Sequence, residues 1–530
     1  MTPGRIDFAL AVASGVLLAL SFPTFGHPAC AWVALAPLMV ALQRGSLRRG
    51  FLLGVLTGGI YFGGTLYWIT QVMVVYGGLA QSIAVPVNIL LIAYLALFPG
   101  LFAVIVRAMM VAYGPRALMA APLVWVATEL GRTYLFSGFP WVLLGYSQTT
   151  VLPVAQLASV FGVYGLGALV ASVSAASASA AVGVHGPAQA GHYRYQGYRY
   201  YGSGFDRFGR YIPILTVFVL VLGVAAWGSR RIARAEWTRG GEPIKVGLIQ
   251  GNVDQAEKWD DARATSIFSS YISMTRQAIA EGAQLVIWPE SSTPFPFEEQ
   301  RFQQSAEVVR TLARQAQVPI LLGSEEIEHG TSTRYFNSAF LVKADGATGG
   351  AYRKMHLVPF GEYVPLKRVF FFASRLVQAV SDFSAGTTPS LLPVGSHLVS
   401  TAICYEIVYP NLVRQFVRQG SELLTTITND AWFGRTSAPY QHFEQASMRA
   451  IEEGRYLVRA ANTGISGIVD PYGRVLSRSG IYEPAAIVGE ARLLRGSTIY
   501  ARVGDLFAYL STVITLVLLL QSRIWRLSTT

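Results

Sequence analysis

Long apolar runs dominate the first 228 residues of the chain and return once near its C-terminus. A helix needs about 20 mainly apolar residues to cross a bilayer, because backbone polar groups find no water there. Eight segments meet this requirement, near residues 7–22, 30–43, 51–69, 83–106, 117–135, 151–183, 211–228 and 506–521. The pattern predicts seven transmembrane helices in 1–228 and a final transmembrane helix and tail in 503–530.

Residues 243–494 show a different pattern, in which short β-rich runs alternate with longer helical runs. The predicted strands are Ile244–Gln250, Leu285–Trp288, Pro319–Gly323, Tyr335–Lys343, Leu398–Cys404, Leu423–Thr428, Tyr456–Ala460, Ser466–Val469 and Ala486–Glu490. The predicted helices are 260–281, 298–316, 410–419 and 439–454. This stretch is long enough to bury its own core, so we expect an α/β domain over 229–502.

Basic residues in the short loops indicate orientation, because Lys and Arg stay on the cytoplasmic side. The arginines of alternate loops and of the tail are Arg44, Arg48, Arg49, Arg107, Arg116, Arg194, Arg199, Arg207, Arg210, Arg523 and Arg526. They predict that both termini are cytoplasmic and that the α/β domain lies outside. Four arginines within 230–239 run against the rule, although a long following domain weakens it there.

The composition agrees with a chain that faces lipid. Of its 530 residues, 52% are hydrophobic and 14% are charged, whereas soluble proteins carry roughly a quarter charged residues. The net charge of +12 is spread over short loops, which favours anionic lipid headgroups over nucleic acid. The seven histidines show no metal-binding spacing, and the two cysteines, Cys30 and Cys404, lie far apart. We therefore expect no metal, no cofactor and no nucleic acid partner.

Two segments combine aromatic and basic residues. The segment 184–210 is rich in Gly, Tyr and Arg, a mixture that suits either a membrane-surface loop or nucleic acid binding, and we favour the membrane surface. Phe370, Phe371 and Phe372 stand between basic residues. Because a helix cannot point all three rings at one core, we expect a membrane-proximal arm; the alternative is a buried helix.

Three side chains in the α/β domain form a candidate acyl-transfer set, namely Glu290, Lys354 and Cys404. A thiol is a weak nucleophile until it loses its proton. A carboxylate that takes the proton and an ammonium that holds the later oxyanion are therefore a sufficient set. Taken singly, Cys404 has an alternative as a buried hydrophobe, Glu290 as a turn residue and Lys354 as a solvated base. Their joint order favours the chemical interpretation.

Short motifs in both halves of the chain carry a family resemblance. They are Gly138-Phe139-Pro140-Trp141, Gly145-Tyr146-Ser147-Gln148, Gln250-Gly251-Asn252, Trp288-Pro289-Glu290, His356-Leu357-Val358-Pro359-Phe360-Gly361-Glu362-Tyr363-Val364-Pro365, Cys404-Tyr405-Glu406 and Asn429-Asp430-Ala431-Trp432-Phe433-Gly434. These motifs and the order Glu, Lys, Cys resemble the nitrilase (carbon–nitrogen hydrolase) superfamily and, within it, the apolipoprotein N-acyltransferases. The resemblance covers nearly the whole chain, and 184–210 looks like an insertion.

The resemblance implies a polytopic α-helical membrane domain joined to an α/β nitrilase-like αββα sandwich. The protein would lie in the inner membrane of a bacterium, with its catalytic domain in the periplasm. Its implied reaction moves an acyl chain from a phospholipid, typically phosphatidylethanolamine, to the N-terminal α-amine of a diacylglyceryl-cysteine lipoprotein. A thioester on Cys404 would divide the reaction into two half-reactions with ping-pong kinetics.

The resemblance also implies a role for each motif residue. Cys404 would be the nucleophile, Glu290 the base and Lys354 the oxyanion stabiliser. Four further residues would support the site or engage substrate, namely Glu362, Tyr405, Glu406 and Trp259. Trp432 and Phe433 would line the pocket.

Two other functions fit parts of the sequence. A membrane-anchored nitrilase-type amidase would use the same three residues but would need only one membrane span, not half the chain. The other is a transporter or scaffold with an incidental globular domain. A transporter would place charged residues inside its spans, where this chain has almost none apart from Glu129 and Arg132. The sequence favours the acyltransferase.

Overall fold

The computed structural model describes residues 3–184, 211–254, 261–363 and 383–528. The chain divides into two compact units. The first consists of Met1–Tyr67, Pro86–Arg230 and Asp505–Thr530, and the second of Trp68–Val85 and Arg231–Gly504. The placement of Trp68–Val85 in the second unit is a feature that the sequence did not indicate.

Apolar helices account for most of the first unit. The helices before the first strand are α1 (Pro3–Ala19), α2 (Pro28–Ala34), α3 (Ala36–Ala41), α4 (Leu47–Leu66), α5 (Trp68–Val75), α6 (Gln81–Tyr113), α7 (Ala121–Tyr134), α8 (Leu152–Ala155), α9 (Ala158–Val184), α10 (Ile212–Arg234) and α11 (Glu236–Arg239). Of these, α5 and α11 belong to the second unit. A last helix, Leu506–Ser528, packs against α7 and α9. The C-terminal helix therefore belongs to the same unit as the N-terminal ones.

Helices lie at each of the eight segments that the sequence singled out. Among the described residues, three helical segments are long and apolar enough to cross a membrane, and a fourth qualifies if the bent pair α4 and α5 counts as one span. The longest, Gln81–Ser137, has 57 residues and contains two of the predicted segments. Pro28–Ala41 and Leu506–Ser522 are shorter apolar helices. The number of spans stays a prediction.

Glu129 and Arg132, both on α7, form a buried pair that contacts the loop after this helix. Arg132 Nη1 donates to the carbonyl oxygens of Trp141 at 2.6 Å and Phe139 at 3.2 Å. Glu129 Oε1 accepts a hydrogen bond from the backbone N–H of Leu144 at 2.7 Å. These two side chains therefore hydrogen-bond to backbone groups of the loop that follows α7. That loop contains the motif Gly138-Phe139-Pro140-Trp141, so the two charges have a structural role there.

Two six-stranded sheets form the second unit. Their strands are β1 (Glu242–Gln250), β2 (Leu285–Ile287), β3 (Ile320–Glu328), β4 (Arg334–Val342), β5 (Thr348–Arg353), β6 (Leu392–Val394), β7 (His397–Ile403), β8 (Leu423–Thr428), β9 (Leu457–Ala461), β10 (Gly467–Val469), β11 (Val475–Arg478) and β12 (Ala485–Leu493). The strand orders are β12-β1-β2-β3-β4-β5 and β11-β10-β9-β8-β7-β6. The sheets contact each other through β1 and β9 and through β4 and β7.

Helices accompany both sheets. The longer ones are α12 (Asp261–Ala280), α13 (Gln303–Ala316), α14 (Pro410–Arg418) and α15 (Ala438–Glu453), followed by a short α16 (Ile499–Val503). The helix α12 packs on the first sheet, where Trp288 Nε1 donates to Thr275 Oγ1 at 2.8 Å. In the second sheet, β7, β8 and β9 are parallel. Side chains that follow β7 and β8 therefore lie beside each other at one edge.

Candidate active site

Cys404 follows β7 directly and begins a short 3-10 turn, Cys404–Val408. Its φ of +53° is a left-handed conformation that costs a residue with a β-carbon about 1–2 kcal/mol. Such strained residues persist where their surroundings hold them, and they cluster at active sites. The side chain is buried, with 7% of the residue exposed.

Glu290 follows the end of β2 and is buried. Its Oε1 accepts hydrogen bonds from Asn337 Nδ2 at 2.7 Å and from Lys354 Nζ at 3.3 Å. Its Oε2 accepts from the backbone N–H of Asn429 at 2.9 Å. Donors from three separate parts of the chain therefore fix the orientation of this carboxylate.

Lys354 follows β5 and is 1% exposed. Its Nζ lies 2.9 Å from Glu362 Oε1 and 3.3 Å from Glu290 Oε1. Burial alone would lower the pKa of Lys354, but the carboxylates of Glu362 and Glu290 outweigh it and raise that pKa above its ordinary value. Lys354 is therefore a permanent cation inside the domain.

The charges of Glu290 and Lys354 both act on the Cys404 thiol. Burial raises the pKa of Cys404, Glu290 raises it further, and Lys354 opposes these effects without cancelling them. The resting thiol is therefore protonated at neutral pH. A thiol in this state needs a base when it attacks a substrate, and Glu290 is a carboxylate suited to that task.

Glu362 and Asn337 complete the polar cluster. Asn337 Nδ2 donates to Glu362 Oε1 at 2.9 Å as well as to Glu290. The backbone N–H of Val358 donates to Glu362 Oε2 at 2.8 Å. Glu362 therefore lies within hydrogen-bonding distance of Lys354 and Asn337, and the supporting role that the resemblance implies for it stays a prediction. Sequence analysis missed Asn337, whose only signal was a polar residue in the middle of an otherwise buried strand.

Glu406 lies beside the cluster and holds backbone in place. Its Oε2 accepts from Ile403 N–H at 2.7 Å, and its Oε1 accepts from Met355 N–H at 2.6 Å and from Tyr352 Oη at 2.8 Å. Burial raises the pKa of Glu406 to about 7, although hydrogen bonds from Ile403, His356 and Tyr352 and the charge of Lys354 oppose the rise. The contacts join the end of β7 to the segment that carries Lys354, so Glu406 fixes Cys404 relative to Lys354.

Aromatic residues surround this region. Tyr405 is buried, and its ring lies 5.9 Å from that of His356 and 5.3 Å from that of Tyr409. These rings form a wall next to Cys404 in the chain. The supporting role that the resemblance implies for Tyr405 stays a prediction.

The turn after β8 is covered by the segment that begins with α5. The Trp68 and Phe433 rings meet edge to face at 4.9 Å, and the Tyr76 and Trp432 rings at 5.2 Å. Tyr76 Oη also donates to the carbonyl oxygen of Ala431 at 2.6 Å. Trp432 and Phe433, which the sequence predicted to line the pocket, thus pack against α5 and the residue that follows it.

Three sequence-based predictions lie outside the described residues. They concern Trp259, the loop 184–210 beyond its first residue, and the arm that contains Phe370, Phe371 and Phe372. In the part of the chain that is described, no group of His, Cys, Asp or Glu side chains has the geometry to hold a metal ion. The described site brings together Glu290, Lys354, Glu362 and Cys404, and their catalytic roles stay predictions.

Comparison with known proteins identifies both halves of the chain. Residues 245–493 match the carbon–nitrogen hydrolase family, and residues 14–176 match the apolipoprotein N-acyltransferase N-terminal domain. Among solved structures, an amidase from Nesterenkonia sp. is 20% identical with a TM-score of 0.36, covering 48% of this chain and 93% of that one.

Relatives that match this chain over nearly its whole length identify its family. The apolipoprotein N-acyltransferase of Geobacter metallireducens is 40% identical over 95% of this chain and 93% of its own length. That of Methylococcus capsulatus is 36% identical over 94% of this chain and 92% of its own length. The predicted fold class, a helical membrane domain with a nitrilase-like two-sheet domain, is thereby confirmed. The chain belongs to the apolipoprotein N-acyltransferase family.

Proposed function

We propose that this acyltransferase moves an acyl chain from a phospholipid to the N-terminal α-amine of a diacylglyceryl-cysteine lipoprotein, through a thioester on Cys404. The observation that carries the proposal is a buried ion pair between Glu290 and Lys354 whose two charges both act on the Cys404 thiol. A base and a fixed cation beside a thiol are what acyl transfer requires. Family membership supports lipoprotein maturation as the setting.

In the first half-reaction, Glu290 takes the thiol proton as the sulfur attacks the ester carbonyl. The oxyanion of the tetrahedral intermediate forms near Lys354, whose charge stabilises it. The carbon–oxygen ester bond then breaks, and Glu290 returns the proton to the departing lysophospholipid alkoxide. The acyl chain remains on Cys404 as a thioester.

In the second half-reaction, the lipoprotein α-amine attacks the thioester carbonyl. Glu290 takes a proton from the amine, Lys354 again stabilises the oxyanion, and the carbon–sulfur bond breaks. The thiolate regains its proton from Glu290, and the product is an amide. Because an amide is more stable than a thioester or an ester, the sequence of steps calls for no ATP.

An acyl-transfer experiment separates this function from that of an amidase. Purified protein is incubated with acyl-labelled phosphatidylethanolamine in mixed micelles, and we expect label on Cys404 that hydroxylamine releases. Addition of a synthetic diacylglyceryl-cysteine peptide should move the label to the peptide amine. Absence of labelled protein contradicts the thioester, and release of free fatty acid without acylated peptide indicates an amidase.

We also propose that the enzyme lies in the inner membrane with its catalytic domain in the periplasm. The loop arginines support this orientation. An alkaline phosphatase fused within the catalytic domain should be active, because this reporter folds only outside the cytoplasm, and one fused after residue 526 should be inactive. The opposite pair of activities would invert the topology.

A further inference from the structure

A second buried polar group lies behind Cys404, on the side of β8 and α15. His442 and Asp430 are fully buried, and His442 Nδ1 is 3.0 Å from Asp430 Oδ1. Arg459 Nη2 lies 2.8 Å from Asp430 Oδ2 and 3.0 Å from His442 Nδ1. The other ring nitrogen, His442 Nε2, is 3.2 Å from the carbonyl oxygen of Cys404.

The hydrogen atoms of this group can be assigned from its partners. A carbonyl oxygen only accepts, so the contact between Cys404 and Nε2 requires a hydrogen on Nε2. If His442 is neutral, Nδ1 accepts from Arg459; if it is charged, Nδ1 donates to Asp430. Burial and the charge of Arg459 lower the pKa of His442, which favours the neutral form. In both forms Nε2 donates to Cys404.

This carbonyl belongs to the residue whose backbone is strained. Cys404 holds a φ of +53°, and a residue with a β-carbon stays in that region only when neighbouring groups fix its peptide. Thr428, on the strand next to β7, donates to Asp430 Oδ1 at 2.9 Å. The Asp430 carboxylate therefore connects the end of β8 with the ring that contacts the nucleophile's carbonyl.

We propose that His442 is a positioning residue, which fixes the backbone of Cys404 through its Nε2–H and so aims the thiol at the substrate carbonyl. This inference rests on the proposed role of Cys404 as nucleophile. Loss of the Nε2 donor would let the turn relax towards an ordinary φ and move the sulfur away from Glu290 and Lys354. A displacement of about 1 Å in a reacting group costs about 100-fold in rate.

Two variants distinguish the contribution of His442 Nε2 from that of His442 Nδ1. In His442→Gln, the side-chain amide reaches the position of Nε2 and can still donate to Cys404. In His442→Asn, the shorter amide reaches only the position of Nδ1 and loses that donor. We expect His442→Asn to lower kcat about 100-fold with KM little changed, and His442→Gln to recover most of that loss. His329→Asn, at an exposed histidine that pairs with Glu299, is the matched control.

The readouts are kcat and KM for acyl transfer, thermal unfolding, and the rate of alkylation of Cys404 by iodoacetamide in a Cys30→Ala background. Alkylation follows the position and reactivity of the thiol without any lipid substrate, and it should fall in His442→Asn. The inference is overturned if both variants are equally slow, if His442→Asn keeps the parent rate, or if either variant fails to fold. If Cys404→Ala still transfers acyl chains, the proposed function itself fails.

Discussion

Cys404→Ala is expected to remove acyl transfer altogether while leaving the protein folded and inserted. The change removes one sulfur atom from a buried position and takes away the only nucleophile of the proposed mechanism. Removal of the nucleophile in a comparable covalent mechanism costs roughly 10⁶-fold in kcat. The measurement is the transfer of labelled acyl chains to a diacylglyceryl-cysteine peptide, together with thermal unfolding of the purified variant.

Cys30→Ala is the matched control, because Cys30 is the other cysteine of the chain and lies in α2 of the first unit. We expect it to keep normal transfer and to retain the hydroxylamine-sensitive label. Normal lipoprotein acylation by Cys404→Ala would contradict the mechanism. Loss of the label in Cys30→Ala with retention in Cys404→Ala would move the thioester to the other thiol.

Lys354→Met is expected to lower kcat by about 10²–10³-fold, the loss seen when one oxyanion donor is removed. The substitution also leaves Glu290 and Glu362 as neighbouring buried carboxylates that share the donor Asn337. Two such groups cannot both stay ionised, so one takes up a proton. The fall in rate therefore includes a weakened base as well as a lost cation.

The same substitution should reduce stability by about 3–5 kcal/mol, because it breaks a buried ion pair from one side. Transfer rates must therefore be measured well below the midpoint of thermal unfolding. Lys343→Met is the control, since Lys343 pairs with Asp345 at an exposed position. A rate within tenfold of the parent for Lys354→Met would return Lys354 to a structural role.

The strands that carry the site were predictable because their hydrophobic runs are short and β-branched. β2, β7 and β8 lie where the sequence predicted strands. β5 was not predicted, because its sequence Thr-Gly-Gly-Ala-Tyr-Arg lacks alternation, contains two glycines and has a single β-branched residue, Thr348. Its pairing with β4 forms the strand nonetheless, which shows tertiary contacts outweighing local preference.

The positions of His442 and Asn337 were not predictable from local pattern. His442 lies on α15, a helix rich in polar residues, and such a helix ordinarily has a solvent face. In the structure α15 is buried almost throughout, including Arg449 and Glu452. The contact of the His442 ring with the Cys404 carbonyl depends on how α15 packs behind β7 and β8, and no spacing along the chain encodes that distance.

The docking of α5 on the turn after β8 bears on how the catalytic domain can be isolated. Trp68 and Tyr76 precede the rest of that unit by more than 150 residues of chain, yet they pack on Phe433 and Trp432. A fragment cut at Arg231 and Gly504 would lose these partners of Phe433 and Trp432. We therefore expect residues 231–504 alone to be less stable than the same residues in the whole chain, and a soluble version of the enzyme to need a substitute for Trp68–Val85.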